Sequence, residues 1–166
     1  MTDLPSVTSR IARDLLATIE SELPNLVAID EERASTPRAA GKWSRKQVMG
    51  HLVDSAFNNH QRFVRAQLSS SLSFPGYTQD SWVTAQGYQD RSWADILRLW
   101  VEVNRHLAHV IGRISRHALV TPCSIGEGAP VTLRFVLEDY VRHLHHHLAQ
   151  VLTPEAAAGK THLPYA

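Results

Sequence analysis

The sequence predicts an all-α fold, namely a four-helix bundle with long connections after its second and third helices. Three observations favour this fold. Four long segments repeat apolar residues every three or four positions, no segment shows the alternation of a strand, and loop-forming residues separate the four segments. Because 166 residues suffice for one core but hardly for two, we expect a single domain over residues 1–166 with a polar tail at 153–166.

The N-terminal half predicts two of the helices. The first covers residues 6–29, where Pro24 predicts a break because proline lacks the amide hydrogen that a helix interior needs. The second covers residues 44–68, and Ser44 with Gln47 fits a capping box at its start. The apolar faces of the two helices are formed by Ile11, Leu15, Leu16, Ile19 and Leu23, and by Val48, Leu52, Ala56, Phe63 and Ala66.

The C-terminal half predicts the other two helices, at residues 92–115 and 133–152. The connections at 73–90 and 119–130 are rich in proline and glycine and are predicted as loops. The first connection also carries several aromatic residues, so we expect an ordered loop that forms one wall of a site. The apolar faces of the two helices consist of Trp100, Val103, Leu107, Ile111 and Ile114, and of Leu133, Leu137, Tyr140, Leu144, Leu148 and Val151.

Charge and composition exclude several classes of function. The net charge is +1, from 17 basic and 16 acidic residues, so no basic surface for nucleic acid is predicted. The sequence shows neither a long apolar run nor a signal-peptide pattern, so we expect no membrane span and a cytoplasmic protein. The single cysteine, Cys123, cannot form an internal disulfide, and a small buried thiol is its commonest role.

Histidine is the residue that points to chemistry, since the chain has ten and four of them lie at 143–147. His143 and His147 are four residues apart, so both rings lie on one side of the fourth predicted helix and can bind one metal ion. His145 and His146 fall on other faces of that helix, and no role is predicted for them.

The second predicted helix offers a third imidazole. His51 flanks its apolar face on the matching side, and Ser55, Asn58 and Arg62 continue the same polar strip. We expect this strip to face His143 and His147 across a groove. Three neutral imidazoles leave at least one coordination position of a metal ion open for water or substrate.

Three further polar residues are candidates for the surroundings of this groove. Asp139 lies one turn before His143 and is expected to hold its second ring nitrogen, as metal-bound histidines usually require. Asp54 is the candidate for a base, although its helical position points away from the groove centre. Asn104 lies within the apolar face of the third helix, where a buried amide needs partners and could orient a loop or touch a ligand.

Several motifs together resemble the DinB/YfiT-like superfamily over residues 40–152. They are Gly41-Lys42-Trp43-Ser44, Gly50-His51-Leu52-Val53-Asp54-Ser55, Asn58-Asn59-His60-Gln61-Arg62-Phe63, Leu99-Trp100 with Asn104-Arg105-His106-Leu107, Asp139-Tyr140 through His143, and His146-His147-Leu148-Ala149-Gln150. The resemblance implies a four-helix bundle, often a homodimer, with nickel or zinc held by His51, His143 and His147. Gln150, in the last motif, joins the candidates for the surroundings of the site.

The same resemblance implies two kinds of activity, since relatives include thiol-dependent transferases and proteins named as metal-dependent hydrolases. Our first hypothesis is a transferase that joins a low-molecular-weight thiol to an electrophilic small molecule, with Arg62 binding an anionic part of a substrate and Asn58 and Asn104 orienting it. The second is a hydrolase that uses metal-bound water, with Asp54 as base. The third is a bundle that binds a metal or a small ligand without catalysis.

Overall fold

A computed structural model describes residues 6–153 of the chain. Four long helices confirm the predicted all-α fold, and of the predicted tail only Thr153 falls within the described residues. Two single 3-10 turns, Tyr88–Asp90 and Ala118–Val120, complete the connections. In chain order the elements are α1 (Val7–Val27), α2 (Glu31–Ser35), α3 (Arg45–Gln67), β1 (Leu72–Phe74), α4 (Gln79–Gln86), α5 (Trp93–Arg113), β2 (Pro122–Ile125), β3 (Val131–Thr132) and α6 (Leu133–Leu152).

The bundle places α3 and α6 side by side. Helix α1 packs mainly against α5 and α6, and α3 packs mainly against the same two helices. Consecutive long helices α1 and α3 therefore lie diagonally opposite, which the long connections after α3 and α5 permit. Fully buried side chains at the centre come from every long helix: Leu15, Leu52, Trp100, Leu107 and Leu144. None of the helices in residues 6–153 is long and apolar enough to cross a membrane.

Side-chain caps fix where the long helices begin. At α3 the predicted capping box is present, because Ser44 accepts from the Gln47 amide and the Gln47 side chain accepts from the Ser44 amide. At α5 and α6 the side chains of Ser92 and Thr132 accept from the amides of Asp95 and Phe135, without the reciprocal bond of a capping box. Each such cap stabilises a helix by about 1 kcal/mol.

The predicted break at Pro24 is wrong, because α1 continues through this residue to Val27. Packing of the turn after the proline compensates for the hydrogen bond that proline cannot make. Leu26 is fully buried there, and its carbonyl oxygen accepts a hydrogen bond of 3.0 Å from Trp93 Nε1.

The two long connections contain a small sheet that the sequence did not predict. Strand β1 pairs with β2 in parallel, with Leu72 opposite Cys123, and β2 pairs with β3 in an antiparallel manner. These strands have two to four residues each, too few for an alternating pattern to stand out. The sheet ties the connection after α3 to the connection before α6.

The connection after α3 also docks directly on that helix. A Cβ atom at Gly50 would lie 2.2 Å from Cδ2 of Tyr88, so only glycine lets the tyrosine ring approach the helix this closely. The Tyr88 hydroxyl donates to Asp54 Oδ1 at 2.7 Å. Residue 50 directly precedes His51, so this docking places the connection next to the predicted metal site.

Candidate metal centre

Three imidazole rings meet between α3 and α6. His51, His143 and His147 each offer a ring nitrogen, and the three nitrogens lie within 4.8 Å of one another. The Nε2 atoms of His51 and His143 are 3.1 Å apart. The rings stand nearly perpendicular in pairs, with centroids 4.4 to 5.0 Å apart. His51 and His143 are buried, while His147 is partly exposed, so the cluster has one side toward solvent.

The spacing of two of these nitrogens, those of His51 and His143, fits a small divalent metal ion. Metal–imidazole bonds of about 2.0–2.1 Å give nitrogens about 3.0 Å apart at right angles and about 3.3 Å apart in a tetrahedron. The observed 3.1 Å between His51 and His143 lies between these values. Imidazole nitrogens suit zinc, nickel, copper and iron alike, so the donor set accommodates the nickel or zinc that the family resemblance implies without selecting between these metals.

The three histidines are held in the neutral form that binds metals. Burial, together with a smaller contribution from neighbouring histidine charges, lowers the pKa of His51 to about 3 and that of His143 to about 2. Burial also lowers the pKa of His147, to about 4, although the hydrogen bond to Gln150 acts in the opposite direction and raises this pKa. At neutral pH none of the three rings carries a proton that a metal ion would have to displace.

Ser55, and not Asp139, lies next to the second nitrogen of His143. Ser55 Oγ is 3.5 Å from His143 Nδ1, and Asn59 Nδ2 donates to the same hydroxyl oxygen at 3.3 Å. The prediction for Asp139 is wrong, because its carboxylate instead accepts from Arg142 one turn further along α6. Asn59 was not among the predicted site residues, because its hydrogen bond to Ser55 is visible only in the folded protein.

Gln150 orients His147. Its Oε1 lies 2.8 Å from His147 Nδ1, and its amide nitrogen lies 2.9 Å from His146 Nε2. When His147 Nδ1 donates to this oxygen, the lone pair of Nε2 points to the other two histidines. His146 thus contacts the site indirectly, whereas His145 bonds Thr18 of α1 at 2.8 Å.

Two arginines fix the end of α6 that carries these residues. Arg45 Nε donates to the Val151 carbonyl at 3.0 Å, and Arg38 donates to the carbonyls of Gln150 and Thr153. Carbonyl oxygens in the last turn of a helix have no partner within the helix, and positive charge is favoured there. Neither arginine was among the predicted site residues.

His51 is held by packing. Its ring centroid lies 5.5 Å from that of Trp43, which precedes the Ser44 cap. His51 Nδ1 is buried and has no hydrogen-bond partner among residues 6–153. Trp43 belongs to one of the motifs that carry the family resemblance, which was the only signal for it in the sequence.

Arg62 is fully buried, at 0% exposure, and lies two turns beyond Ser55 on α3. Its Nη1 donates to Asn59 Oδ1 at 3.4 Å, and its guanidinium carbon lies 5.4 Å from the centre of the Phe74 ring. The sequence placed Arg62 on the groove but could not reveal that β1 covers it. Burial lowers the pKa of Arg62, while the charges of Tyr77 and Asp139 oppose this shift.

The remaining candidates lie around the site without contacting the three rings in the described hydrogen bonds. Asn58 donates to the Asp54 carbonyl of its own helix. Asn104 donates to the Trp100 carbonyl and accepts from the hydroxyl of Tyr140 on α6, so it joins α5 to α6. Asp54 is 1% exposed, accepts from Tyr88 and Gln86 through Oδ1, and therefore holds the connection after α3.

Cys123 fits the predicted role of a buried thiol. It lies on β2 with 0% exposure, and burial raises its pKa. A thiol in such surroundings is a poor nucleophile because the reactive thiolate is disfavoured.

The fold and the three convergent imidazoles define a helical-bundle protein with a candidate metal site between two antiparallel helices. Residues 15–151 match the family model of the DinB superfamily, and the chain belongs to that superfamily.

The chain is also similar to proteins of two Bacillus species. A Bacillus mycoides protein named "Putative metal-dependent hydrolase" is 30% identical over 82 residues, which cover 46% of this chain and 47% of that protein. A Bacillus cereus protein of the same name is 22% identical over 150 residues, or 90% of this chain and 78% of the relative. The chain thus spans about half of the first relative and most of the second.

Among solved structures, the fold resembles YfiT from Bacillus subtilis, described as "a probable metal-dependent hydrolase with an unusual four-helix bundle topology". The TM-score is 0.69 at 21% identity, over 87% of this chain and 79% of YfiT. This likeness shows the bundle topology, in agreement with the diagonal placement of α1 and α3.

Proposed function

We propose that this protein is a metal-dependent transferase that joins a low-molecular-weight thiol to an electrophilic small molecule. The observation that carries the proposal is the composition of the metal-ligand cluster. Within residues 6–153 it consists of three neutral imidazoles and includes no carboxylate or cysteine. Three protein ligands leave a coordination position for an exogenous ligand, and that ligand can be a thiolate as well as water.

In this proposal His51, His143 and His147 hold the metal ion, with nickel or zinc expected. A bound divalent ion lowers the pKa of a coordinated thiol, so that the thiolate is present at neutral pH. Ser55 and Gln150 lie at the second ring nitrogens of His143 and His147, and when those nitrogens donate to them, the Nε2 atoms are left as the metal-binding nitrogens. In the reaction the sulfur forms a bond to an electrophilic carbon, the leaving group departs with its electron pair, and the thiol proton goes to solvent.

Arg62 has a separate part in this proposal. Its buried positive charge lies close enough to His143 to lower the pKa of that ring. The same charge would favour an anionic group, such as the thiolate or a carboxylate of a substrate, near the metal centre. Arg62→Met keeps much of the side-chain volume and removes the charge. The proposal therefore predicts that this substitution raises the KM of carboxylate-bearing substrates more than the KM of neutral ones.

Hydrolysis by metal-bound water is the second candidate, and the names of the Bacillus relatives favour it. It needs a general base near the site. Asp54 is a buried carboxylate one turn beyond His51, and burial raises its pKa, a direction that suits a base. The Tyr88 and Gln86 hydrogen bonds oppose that shift and hold Oδ1 in a structural contact.

A single set of assays distinguishes the two reactions. Protein loaded with zinc or nickel is incubated with a panel of thiols and electrophiles, and in parallel with esters and amides. The transferase proposal predicts a thiol conjugate detected by mass spectrometry, lost in His51→Ala and kept in the exposed-histidine control His109→Ala. Hydrolysis without conjugate formation, abolished in Asp54→Asn, contradicts the transferase and supports the hydrolase.

We also propose a homodimer in a reducing compartment, the cytoplasm, acting on a small molecule. The family resemblance supports the dimer, and the single buried cysteine suits a compartment without disulfides. Light scattering after gel filtration tests the dimer, since the proposal predicts twice the chain mass of 18.6 kDa.

A further inference from the structure

A cavity of about 490 Å³ lies where α1 and α6 begin, and Ser6 and Thr132 are among the residues that line it. Thr18 of α1 bonds His145 of α6, so the two helices run in the same direction from this cavity. His143 lies about 16 Å further along α6 than Thr132, so the cavity is separate from the metal centre. Its volume is that of a small-molecule site.

Positive charge dominates the lining of this cavity. Arg10, Arg116 and Arg134 contribute three guanidinium groups, and no carboxylate of the described residues is part of the lining. Arg134 pairs with Glu138 of its own helix. The side chains of Arg10 and Arg116 are exposed and have neither a hydrogen bond nor an ion pair within residues 6–153. Two guanidiniums without a carboxylate partner therefore line the same cavity.

The starts of the two helices add to the positive potential that the arginines create. The first turn of α1 and the first turn of α6 contain no acidic residue. The beginning of a helix carries a partial positive charge, which acidic side chains commonly balance. Here arginines stand in their place, and an anion bound in the cavity would supply the missing negative charge.

The charges of the cavity indicate the class of anion. Two unpaired guanidiniums match a dianion, and a phosphate monoester carries about two negative charges at neutral pH. Guanidinium groups also bind phosphate oxygens through paired hydrogen bonds. A carboxylate or a phosphodiester carries a single charge and matches the two arginines less well.

The remaining part of the lining is apolar. Val7, Leu119 and Val120 contribute side chains to the cavity, and Val120 is 66% exposed. An apolar side chain that is open to solvent gains free energy when a ligand covers it. The ligand that fits both parts of the cavity therefore joins a phosphate group to an apolar body.

We propose that this cavity binds a small organic phosphate, with the phosphate group on Arg10 and Arg116 and the apolar part on Val7, Leu119 and Val120. The site shares no residue with the three-histidine cluster. The inference thus goes beyond the proposed function and does not depend on it.

Isothermal titration calorimetry of the full chain with phenyl phosphate tests the inference. We expect binding to the wild type that weakens about tenfold or more in Arg10→Gln and in Arg116→Gln, because each variant removes a charged hydrogen-bond donor. The control Arg98→Gln makes the same change of charge at an exposed arginine of α5 outside the cavity and should keep the wild-type affinity. Melting temperatures equal to that of the wild type verify that the arginine variants are folded.

Three further ligands test the chemistry of the site. Phenylacetate and methyl phenyl phosphate keep the ring but carry one negative charge, and both should bind more weakly than phenyl phosphate. Inorganic phosphate keeps the charge and lacks the ring, so it should bind more weakly as well. Phenylacetate or methyl phenyl phosphate that binds as tightly as phenyl phosphate overturns the choice of a phosphate monoester.

His51→Ala distinguishes the cavity from the metal centre, since a bound metal ion would also attract phosphate. The inference predicts an unchanged affinity for phenyl phosphate in this variant. Affinity that is lost in His51→Ala and kept in both arginine variants places the phosphate at the metal centre. This result overturns the inference and leaves the proposed function intact. No binding of phenyl phosphate to the wild type at millimolar concentrations overturns the inference too.

Discussion

The metal-free protein should lose stability on mild acidification, and the structure gives the size of the loss. His51, His143 and His147 have pKa values of about 3, 2 and 4 in the folded chain. In the unfolded chain a histidine has a pKa of about 6.5. A lowered folded-state pKa means that the unfolded chain binds more protons, so stability is full above pH 6.5 and falls as the pH falls below it.

Linkage gives the magnitude. Between pH 7.5 and 5.5 each such imidazole lowers the free energy of unfolding by about 1.3 kcal/mol, and the three together by about 4 kcal/mol. This is a large share of the 5–15 kcal/mol that typical domains have in total. Urea denaturation of protein dialysed against a chelator, followed by circular dichroism at the two pH values, measures the difference directly.

Two variants assign the loss to the cluster. His143→Leu removes one imidazole from the buried set, so the difference between the two pH values should fall by about one third. His109→Ala removes an exposed histidine of α5 and should keep the wild-type difference. The reasoning that these rings are buried and neutral would be refuted by either of two results. The free energy of unfolding of the wild type would differ by less than roughly 1 kcal/mol between the two pH values, or His143→Leu would show the same difference as the wild type.

Two further predictions concern the support of the site. In a urea titration, Gly50→Ala should lower the free energy of unfolding by about 1–3 kcal/mol, because the added Cβ would overlap the Tyr88 ring. The control is Gly112→Ala, where the nearest atom to the added Cβ is 3.8 Å away. This control should be neutral or stabilising. Ser55→Ala should weaken zinc binding about 10–100-fold in a chelator competition, because Ser55 adjoins the second nitrogen of a predicted ligand. Asn59→Ala should weaken it less, since Asn59 acts through Ser55. Unchanged affinity in Ser55→Ala would contradict this role.

The long helices were predictable because each one carries a single apolar face, including α3, whose residues 48–56 are buried on every side. The spacing of residues such as Leu52 and Leu144 identifies that face without any knowledge of the partner helix. Pro24 shows where this local reasoning fails, since packing of the turn after it outweighs the lost hydrogen bond. The small sheet was not predicted for a related reason. Its strands have two to four residues each, and strands this short show no sequence pattern that would indicate pairing with a distant segment.

The convergence of the three imidazoles was predictable for the same geometric reason. Residues 143 and 147 must share a side of their helix, and the polar strip of α3 that begins with His51 has only one face on which to meet them. Metal binding by these residues stays a prediction.

The partners of the imidazoles could not be predicted. Asp139 is within reach of His143 by helical spacing, and Ser55 belongs to the polar strip of α3 that faces it. Only side-chain rotamers in the folded protein place Ser55, and not Asp139, at the ring nitrogen. The same holds for Arg62, which the sequence places on the groove without showing that the connection carrying Phe74 covers it.

The most direct test of the account is the metal content of the protein. Elemental analysis is carried out on protein purified without a metal-affinity tag, together with His51→Ala and His143→Ala. The account predicts about one zinc or nickel ion per chain in the wild type and near-complete loss of the metal in both variants. A wild-type protein that contains no metal and takes up neither added zinc nor added nickel would contradict the three-histidine site, and with it both proposed reactions.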